Sequence, residues 1–273
     1  PSPSRLYRRL RESGVPLTGR VVNLGAGSWQ DAAWAVAAAH NLSGVFMDPI
    51  GAPPVHEMSL PLRRLREDRQ SLRFVQAAAS PATVCEFLRE GGIECGGGEQ
   101  RSRIDFLKID TDGCDCQLAT TAIAALQPLV VWLEINMSVP PPLRFARQCH
   151  SDWWQEWTRW RGVGVTMATF GCSISAAVAD FRARGYSLYA MVDSQDAVFV
   201  HRSVAAAAGG ADVDELYCYR RAVHGAMVFV PPPLIAEWLS APPEEALVRA
   251  WCNFTTYHQL LGLSHMPMSL SLG

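Results

Sequence analysis

The sequence predicts an α/β protein built on a doubly wound, mostly parallel sheet. Three observations predict it: short apolar runs alternate with helical stretches, a glycine turn follows the first run, and a hairpin pattern occupies residues 186–201. Alternating strands and helices require crossover connections, which place the strands parallel and the helices on the faces of the sheet.

The composition is that of an ordinary globular protein. The chain of 273 residues is 49% apolar and 18% charged, enough for one large core or a core with an appendage. A formal net charge of −2 gives no overall basic surface for nucleic acid, so a small-molecule or protein partner is expected. No apolar run is long enough to span a bilayer. The oligomeric state stays open.

The first strands are short apolar runs that end in glycine, acidic or small residues. Residues 20–24 enter the turn 25–28, and an alanine-rich helix is predicted at 29–39. Further strands are predicted at 44–47, which ends in Asp-Pro, and at 72–77.

The alternation continues through the middle of the chain. A helix is predicted at 82–89, a strand at 104–109, a helix at 115–126 and a strand at 129–135. The fourth strand ends at the acidic stretch 110–113. Five strand and helix repeats therefore stand in a row.

The alternation of strands and helices is interrupted at residues 137–171 and then resumes. A helix is predicted at 173–184, followed by hairpin strands at 186–192 and 197–201. We expect a domain over 1–204, with the remaining residues, 205–273, as a C-terminal extension packed on it. In that extension Pro231 to Pro233 should interrupt regular structure, and 246–260 has helical patterning.

The eight cysteines are scattered over a chain that is long enough to fold without disulfide bonds, which predicts reduced thiols. The expected compartment is the cytoplasm, or an organelle lumen after removal of a targeting segment. Cys114, Cys116, Cys149 and His150 suggest a zinc site only weakly, because the paired ligand spacing of structural zinc sites is missing.

The glycine turn predicts a nucleoside-binding site. Glycines let the backbone approach a ligand closely, and the free amides of the helix start would face it. Asp48 follows Gly25 in the chain, at close to the separation of about 20 residues that is expected for an acid that binds ribose hydroxyls. A dinucleotide would need a third glycine where Gln30 stands. S-adenosylmethionine has no phosphate and needs only the shorter turn, although a plain structural turn stays open.

Two stretches carry a family resemblance: residues 22–27 together with Asp48, and above all residues 104–113, which contain Leu-Lys-Ile-Asp-Thr-Asp-Gly. They resemble FkbM-type methyltransferases of the class I Rossmann-like superfamily, over roughly residues 18–202. Asn23 stands where the superfamily usually has an acid, and Asp112 stands where the family usually has Glu.

The resemblance implies the strand order 3-2-1-4-5-7-6, with strand 7 antiparallel, and S-adenosylmethionine as the methyl donor. It places the adenine near the end of the third strand. The implied donor-binding residues are Asn23, Gly25, Ala26, Gly27, Asp48, Ala78 and Asp110.

Polar residues end the fourth and fifth strands, where ligands bind in doubly wound sheets. Asp110, Asp112 and Glu134 are the catalytic candidates, as a general base with its partners. With Asn136 they could instead hold Mg²⁺ through oxygen ligands, and we favour the base. A helix N-cap is the simpler reading of Asp115 and stays open for Asp112.

Trp153, Trp157 and Trp160 share one helical face. They suit core packing better than the wall of an acceptor pocket. His150, beside Asp152, is a spare base candidate.

The expected function is methyl transfer from S-adenosylmethionine to an oxygen atom of a small-molecule, sugar or lipid-like acceptor. Two alternatives stay open. A binding or assembly protein that retains the fold is suggested by Asn23 and the long tail, and a dinucleotide-dependent oxidoreductase is disfavoured by Gln30.

Overall fold

The computed structural model describes residues 2–27, 31–50, 72–96, 102–149, 170–192, 194–210, 212–225, 230–260 and 268–272. The strands are β1 (Arg20–Leu24), β2 (Ser43–Met47), β3 (Leu72–Val75), β4 (Phe106–Ile109), β5 (Val130–Glu134), β6 (Arg144–Arg147), β7 (Tyr186–Val192), β8 (Asp196–His201) and β9 (Met268–Ser271). The helices are α1 (Pro3–Glu12), α2 (Ala32–His40), α3 (Val84–Glu90), α4 (Asp115–Leu126), α5 (Ile174–Arg182), α6 (Ala205–Ala208), α7 (Glu215–Ala222), α8 (Pro232–Ser240) and α9 (Pro243–Leu260). No helix in these ranges is long and apolar enough to cross a membrane.

Seven strands hydrogen-bond in the order β3-β2-β1-β4-β5-β8-β7. The pairs from β3 to β5 are parallel. The amide of His201 donates to the carbonyl of Leu129, and that of Ile135 donates to Gln195, so β8 runs opposite to β5. Because β6 lies outside this sheet, the order is the one that the resemblance implies, and the predicted fold class is confirmed.

One compact unit consists of residues 1–111, 118–133 and 198–211. Its central strands carry apolar side chains toward both faces, as in sheets covered by helices on each side. Val22, Val45, Leu107 and Val131 are completely buried. This continuous apolar pattern explains why the strands were predictable from short runs.

Asp105, the first acid of the motif at 104–113, anchors the start of the chain. Its carboxylate accepts hydrogen bonds from the Tyr7 hydroxyl (3.0 Å), from the Thr18 amide (2.8 Å) and from the Gly19 amide (2.7 Å). Burial and the adjacent carboxylate raise the pKa of Tyr7 above its ordinary value, so the hydroxyl stays a donor. Helix α1, which carries Tyr7, was not predicted.

The second unit consists of residues 112–117, 134–197 and 212–273. Within it, β6 pairs antiparallel with β9 near the C-terminus. Phe254 of α9 stacks on Phe145 of β6 with ring centroids 5.3 Å apart, and the Tyr219 hydroxyl donates to the Met137 carbonyl (2.7 Å). The C-terminal residues thus supply core of this unit, while the domain boundary after residue 204 stays a prediction.

Two predicted helix starts differ from the structure. The helix expected from residue 29 is seen from Ala32, where Asp31 caps it by accepting the amide of Ala33; residues 28–30 lie outside the described part of the chain. The expectation that Pro231 to Pro233 interrupt regular structure is wrong, because α8 begins at Pro232. Proline suits the first helical turn, because the backbone N–H that it lacks would have no hydrogen-bond partner within the helix there.

The expectation of reduced thiols is wrong for six cysteines. They form three disulfides: Cys85–Cys95, Cys114–Cys149 and Cys116–Cys172. Their Cα atoms lie 5.2 to 5.8 Å apart, inside the range that a disulfide needs. The fold brings together cysteines up to 56 positions apart, which spacing could not reveal. The same pairing removes these thiols from the zinc site considered above.

Replacing Phe254 tests the role of the C-terminal helix. Phe254→Ala removes a ring that is 2% exposed and should lower the free energy of unfolding by about 3–5 kcal/mol, as for a large aromatic in a packed core. Val248→Ala on the same helix, where the side chain is 62% exposed, is the control and should change it by about 0.5 kcal/mol or less. Equal small effects in denaturant titrations would place α9 outside the core.

Candidate functional site

The glycine turn after β1 lies against the end of β4. Leu24 pairs with Ile109, and the Asp110 amide donates to the Leu24 carbonyl (2.9 Å). Gly25 has a φ of +93°, and a Cβ on it would overlap the Asp110 carbonyl oxygen. Only glycine allows this approach, so the turn and Asp110 are brought together as predicted.

The first backbone amides of the turn bind to the neighbouring strand. Those of Gly25 and Ala26 both donate to the carbonyl of Met47, at 2.8 and 2.9 Å. They therefore close the turn onto β2 and are not free to face a ligand. The amides of residues 28–30 lie outside the described ranges.

Asp48, the predicted ribose acid, lies directly beside Gly27. A Cβ on Gly27 would be 2.5 Å from Asp48 Oδ2, so glycine makes room for this carboxylate. Asp48 is 7% exposed, and its Oδ1 accepts the Ile50 amide (2.8 Å). A nearly buried carboxylate is thus held at the turn, as the spacing of these residues predicts. Ala78 is half-buried in the segment after β3.

An ionic network that was not predicted from the sequence connects the start of α2 with β4. Lys108 Nζ donates to Asp110 Oδ2 (2.7 Å) and to Asp31 Oδ2 (3.1 Å). The ammonium also lies 5.6 Å from the ring centroid of Trp132. Lys108 is 3% exposed. The signal was present, since Lys108 is the only lysine in the chain.

Asn23 joins this network through its amide. Its Nδ2 donates to Asp31 Oδ2 (3.1 Å), which fixes the orientation of the side chain. Asn23 is completely buried, and its Oδ1 has no hydrogen-bond partner among the residues that the structure describes. Buried acceptors are normally satisfied, so this atom is suited to a ligand's N–H group.

In the second unit, Asp112 and Glu134 form a carboxylate pair. Each is half-buried and offers an oxygen within 4.8 Å of the other. Asp112 has a φ of +54°, a left-handed conformation that costs free energy in residues other than glycine. The neighbouring Asp115 is completely buried at the start of α4 and accepts the Gly113 amide (3.1 Å), which is a structural role.

Asn136, the fourth candidate metal ligand, is engaged by the backbone at both ends of its amide. Nδ2 donates to the Phe170 carbonyl and Oδ1 accepts the Ser138 amide, both at 3.0 Å. The spare base candidate and the tryptophans fall outside the described residues: His150, Trp153, Trp157 and Trp160. The same holds for Gln30.

Comparison with known proteins gives no family model and no curated protein that matches the chain. Among solved structures, the chain is similar to an S-adenosylmethionine-dependent methyltransferase from Thiobacillus denitrificans in complex with S-adenosyl-L-homocysteine, with 15% identity and a TM-score of 0.36. It is also similar to one from Geobacter sulfurreducens in complex with the same ligand, with 15% identity and a TM-score of 0.34. Each match covers 70% of this chain and 66% of the other chain.

Replacing the buried lysine tests the ionic network. Lys108→Met leaves the Asp31 carboxylate without its cation and should lower the free energy of unfolding by about 3–5 kcal/mol. Adding Asp31→Asn should restore part of this loss, because the uncompensated charge is removed.

The control is Arg182→Met, which breaks the exposed pair with Asp212 and should cost about 0–1 kcal/mol. Denaturant titrations that give Lys108→Met and Arg182→Met the same small effect would contradict a buried network.

Proposed function

We propose that this protein is an S-adenosylmethionine-dependent methyltransferase that acts on oxygen of a small-molecule, sugar or lipid-like acceptor. The observation that carries the proposal is Gly27 packed against the nearly buried carboxylate of Asp48. In a doubly wound sheet, ligands bind at the carboxyl ends of the strands. A glycine turn and an acid on adjacent strands are what an adenosine-containing ligand needs there.

The residues at this edge fit the parts of the donor. The donor's amino-acid group is assigned to the turn at Gly25 and Gly27, with its ammonium on the Oδ1 of Asn23. Asp31 holds the Asn23 amide in the required orientation, which offsets the absence of an acid on β1. The ribose hydroxyls are assigned to Asp48, and the adenine to Ala78.

The donor supplies a methyl group on a positively charged sulfur, and catalysis then depends on the geometry of approach. An acceptor hydroxyl must also lose its proton. We assign that proton to Asp112, with the adjacent Glu134 carboxylate orienting the hydroxyl. Lys108 already holds Asp110, so Asp110 is assigned to positioning the donor.

A divalent cation is the second candidate for the acidic pair. Two carboxylate oxygens within 4.8 Å of each other are ligands that Mg²⁺ accepts. Magnesium bound to Asp112 and Glu134 would lower the pKa of an acceptor hydroxyl by direct coordination. Removal of the metal distinguishes a magnesium site from a carboxylate that acts as the general base.

Titration calorimetry tests the donor assignment. S-adenosylmethionine and S-adenosylhomocysteine should bind with Kd values in the micromolar range, and a screen with a labelled methyl donor should then identify an acceptor. Binding without transfer to any acceptor would favour the alternative of a binding protein. Binding of a nicotinamide dinucleotide in place of both compounds would favour the oxidoreductase.

Two substitutions sharpen this titration. Asp48→Ala leaves ribose hydroxyls unpaired and should weaken S-adenosylhomocysteine binding by about 1–3 kcal/mol, roughly 5- to 150-fold in Kd. Gly27→Ala should also weaken binding, because its Cβ displaces the same carboxylate. The exposed Asp180→Ala is the control. If Asp48→Ala binds like the parent, the ribose assignment is wrong.

Substitutions of Asp112 test the chemistry. Asp112→Asn keeps the shape and tolerates a positive φ, so donor affinity should stay the same while kcat falls by about 10²-fold or more. Asp112→Gly also accepts this backbone conformation and should show the same loss with the fold intact.

Chelation is measured beside these variants. If a cation does the work, EDTA should abolish turnover of the parent and added Mg²⁺ should restore it. Turnover that is unaffected both by Asp112→Asn and by EDTA would remove this carboxylate from the reaction.

A further inference from the structure

Two disulfides end on residues 112–117, which comprise the loop after β4 and the first turn of α4. Cys114 is bonded to Cys149 and Cys116 to Cys172, with Cα atoms 5.2 and 5.8 Å apart. Both bonds lie within the second unit. Cys114 and Cys116 are two and four positions after Asp112 in the chain, so the covalent cross-links meet directly beside the proposed base.

Hydrogen bonds tie the same segments together. The Gly171 amide donates to the Gly113 carbonyl (2.7 Å), and the Cys149 amide donates to Gln117 Oε1 (2.8 Å). On the other side, the Asn136 amide donates to the Cys172 carbonyl (2.9 Å). Residues 112–117 are therefore bonded to Cys149 and to residues 171–172. Cys172 is in turn hydrogen-bonded to Asn136, two positions after Glu134.

We call the two disulfides and these hydrogen bonds the clamp on residues 112–117. The backbone at Asp112 indicates what the clamp does. A left-handed conformation in an aspartate persists only where the surrounding structure imposes it, and Asp112 has a φ of +54°. Contacts from outside this residue must therefore hold it in that conformation. The two disulfides lie two and four positions after Asp112 in the chain.

We propose that Cys114, Cys116, Cys149 and Cys172 are positioning residues, whose two disulfides hold Asp112 in its strained conformation against Glu134. The proposal rests on the proposed methyl transfer, in which these carboxylates serve the acceptor. Loss of either disulfide should lower kcat and leave donor affinity unchanged, since the turn at Gly25 and Gly27 belongs to the other unit.

The third disulfide is a matched control. Cys85–Cys95 spans only 10 positions and lies in the first unit, away from residues 112–117 in the chain. Cys116 and Cys172 are almost completely buried, so a reductant would reach them poorly and substitution is the better probe. Alanine keeps their surroundings apolar.

The experiment compares Cys116→Ala/Cys172→Ala and Cys114→Ala/Cys149→Ala with Cys85→Ala/Cys95→Ala. In the first two, kcat should fall by about 10- to 10²-fold, the range for a misplaced catalytic group, with the Kd of S-adenosylhomocysteine unchanged. The control pair should keep its kcat. An equal loss in all three, or no loss in the first two, would overturn the proposal.

A second measurement does not depend on turnover. Hydrogen exchange at the Gly171 amide should be slow in the parent and in the control, and faster in each clamp variant. Unchanged exchange would overturn the clamp whatever the activity. A parent that neither binds the donor nor transfers methyl would instead refute the proposed function, while exchange would still decide the clamp.

Peptide mapping establishes the pairing. Cleavage before aspartate and after arginine separates Cys114 from Cys116, because Asp115 lies between them. The structure requires peptide 112–114 to be linked to 148–151, and 115–144 to be linked to 162–179. Any other linkage, or free thiols at these positions, would overturn the proposal.

Discussion

The close approach of β1 to β4 is the constraint on which the rest of the first unit depends. The turn at Gly25 can touch the Asp110 carbonyl only because position 25 has no side chain. Once the strands are this close, the Lys108 ammonium reaches both Asp110 and Asp31. Asp31 in turn caps α2 and orients Asn23. One backbone contact therefore fixes a helix, two strands and the side chains assigned to the donor.

The sequence predicted the parts of the fold that local patterns determine. The parallel strands are short apolar runs buried on both faces, and their order followed from the resemblance at residues 104–113. The pairing of β6 with β9 was not predictable, because it joins segments that are far apart in the chain and only partly apolar. Helix α1 was missed because it is rich in arginine, and its stability comes from contacts such as that of Tyr7 with Asp105.

The candidate site was predictable to a similar extent. Glycine spacing and strand ends selected Gly25, Gly27, Asp48 and Asp112, and the structure holds Gly27 directly beside Asp48. The Asp31 contribution was hidden, because a cap residue and a ligand-orienting residue look alike in sequence. The disulfides were hidden for a different reason: pairing of cysteines is decided by tertiary proximity, and sequence separation carries no information about it.

The burial of Lys108 also determines how the folded protein reacts with reagents that modify amines. The chain has a single ε-amino group, and it is 3% exposed among carboxylates and an indole ring. Acylating reagents, lysine crosslinkers and ubiquitin-transferring enzymes find no side-chain amine on the native surface. Acylation of Lys108 therefore requires the first unit to open, which makes this one side chain an internal reporter of unfolding.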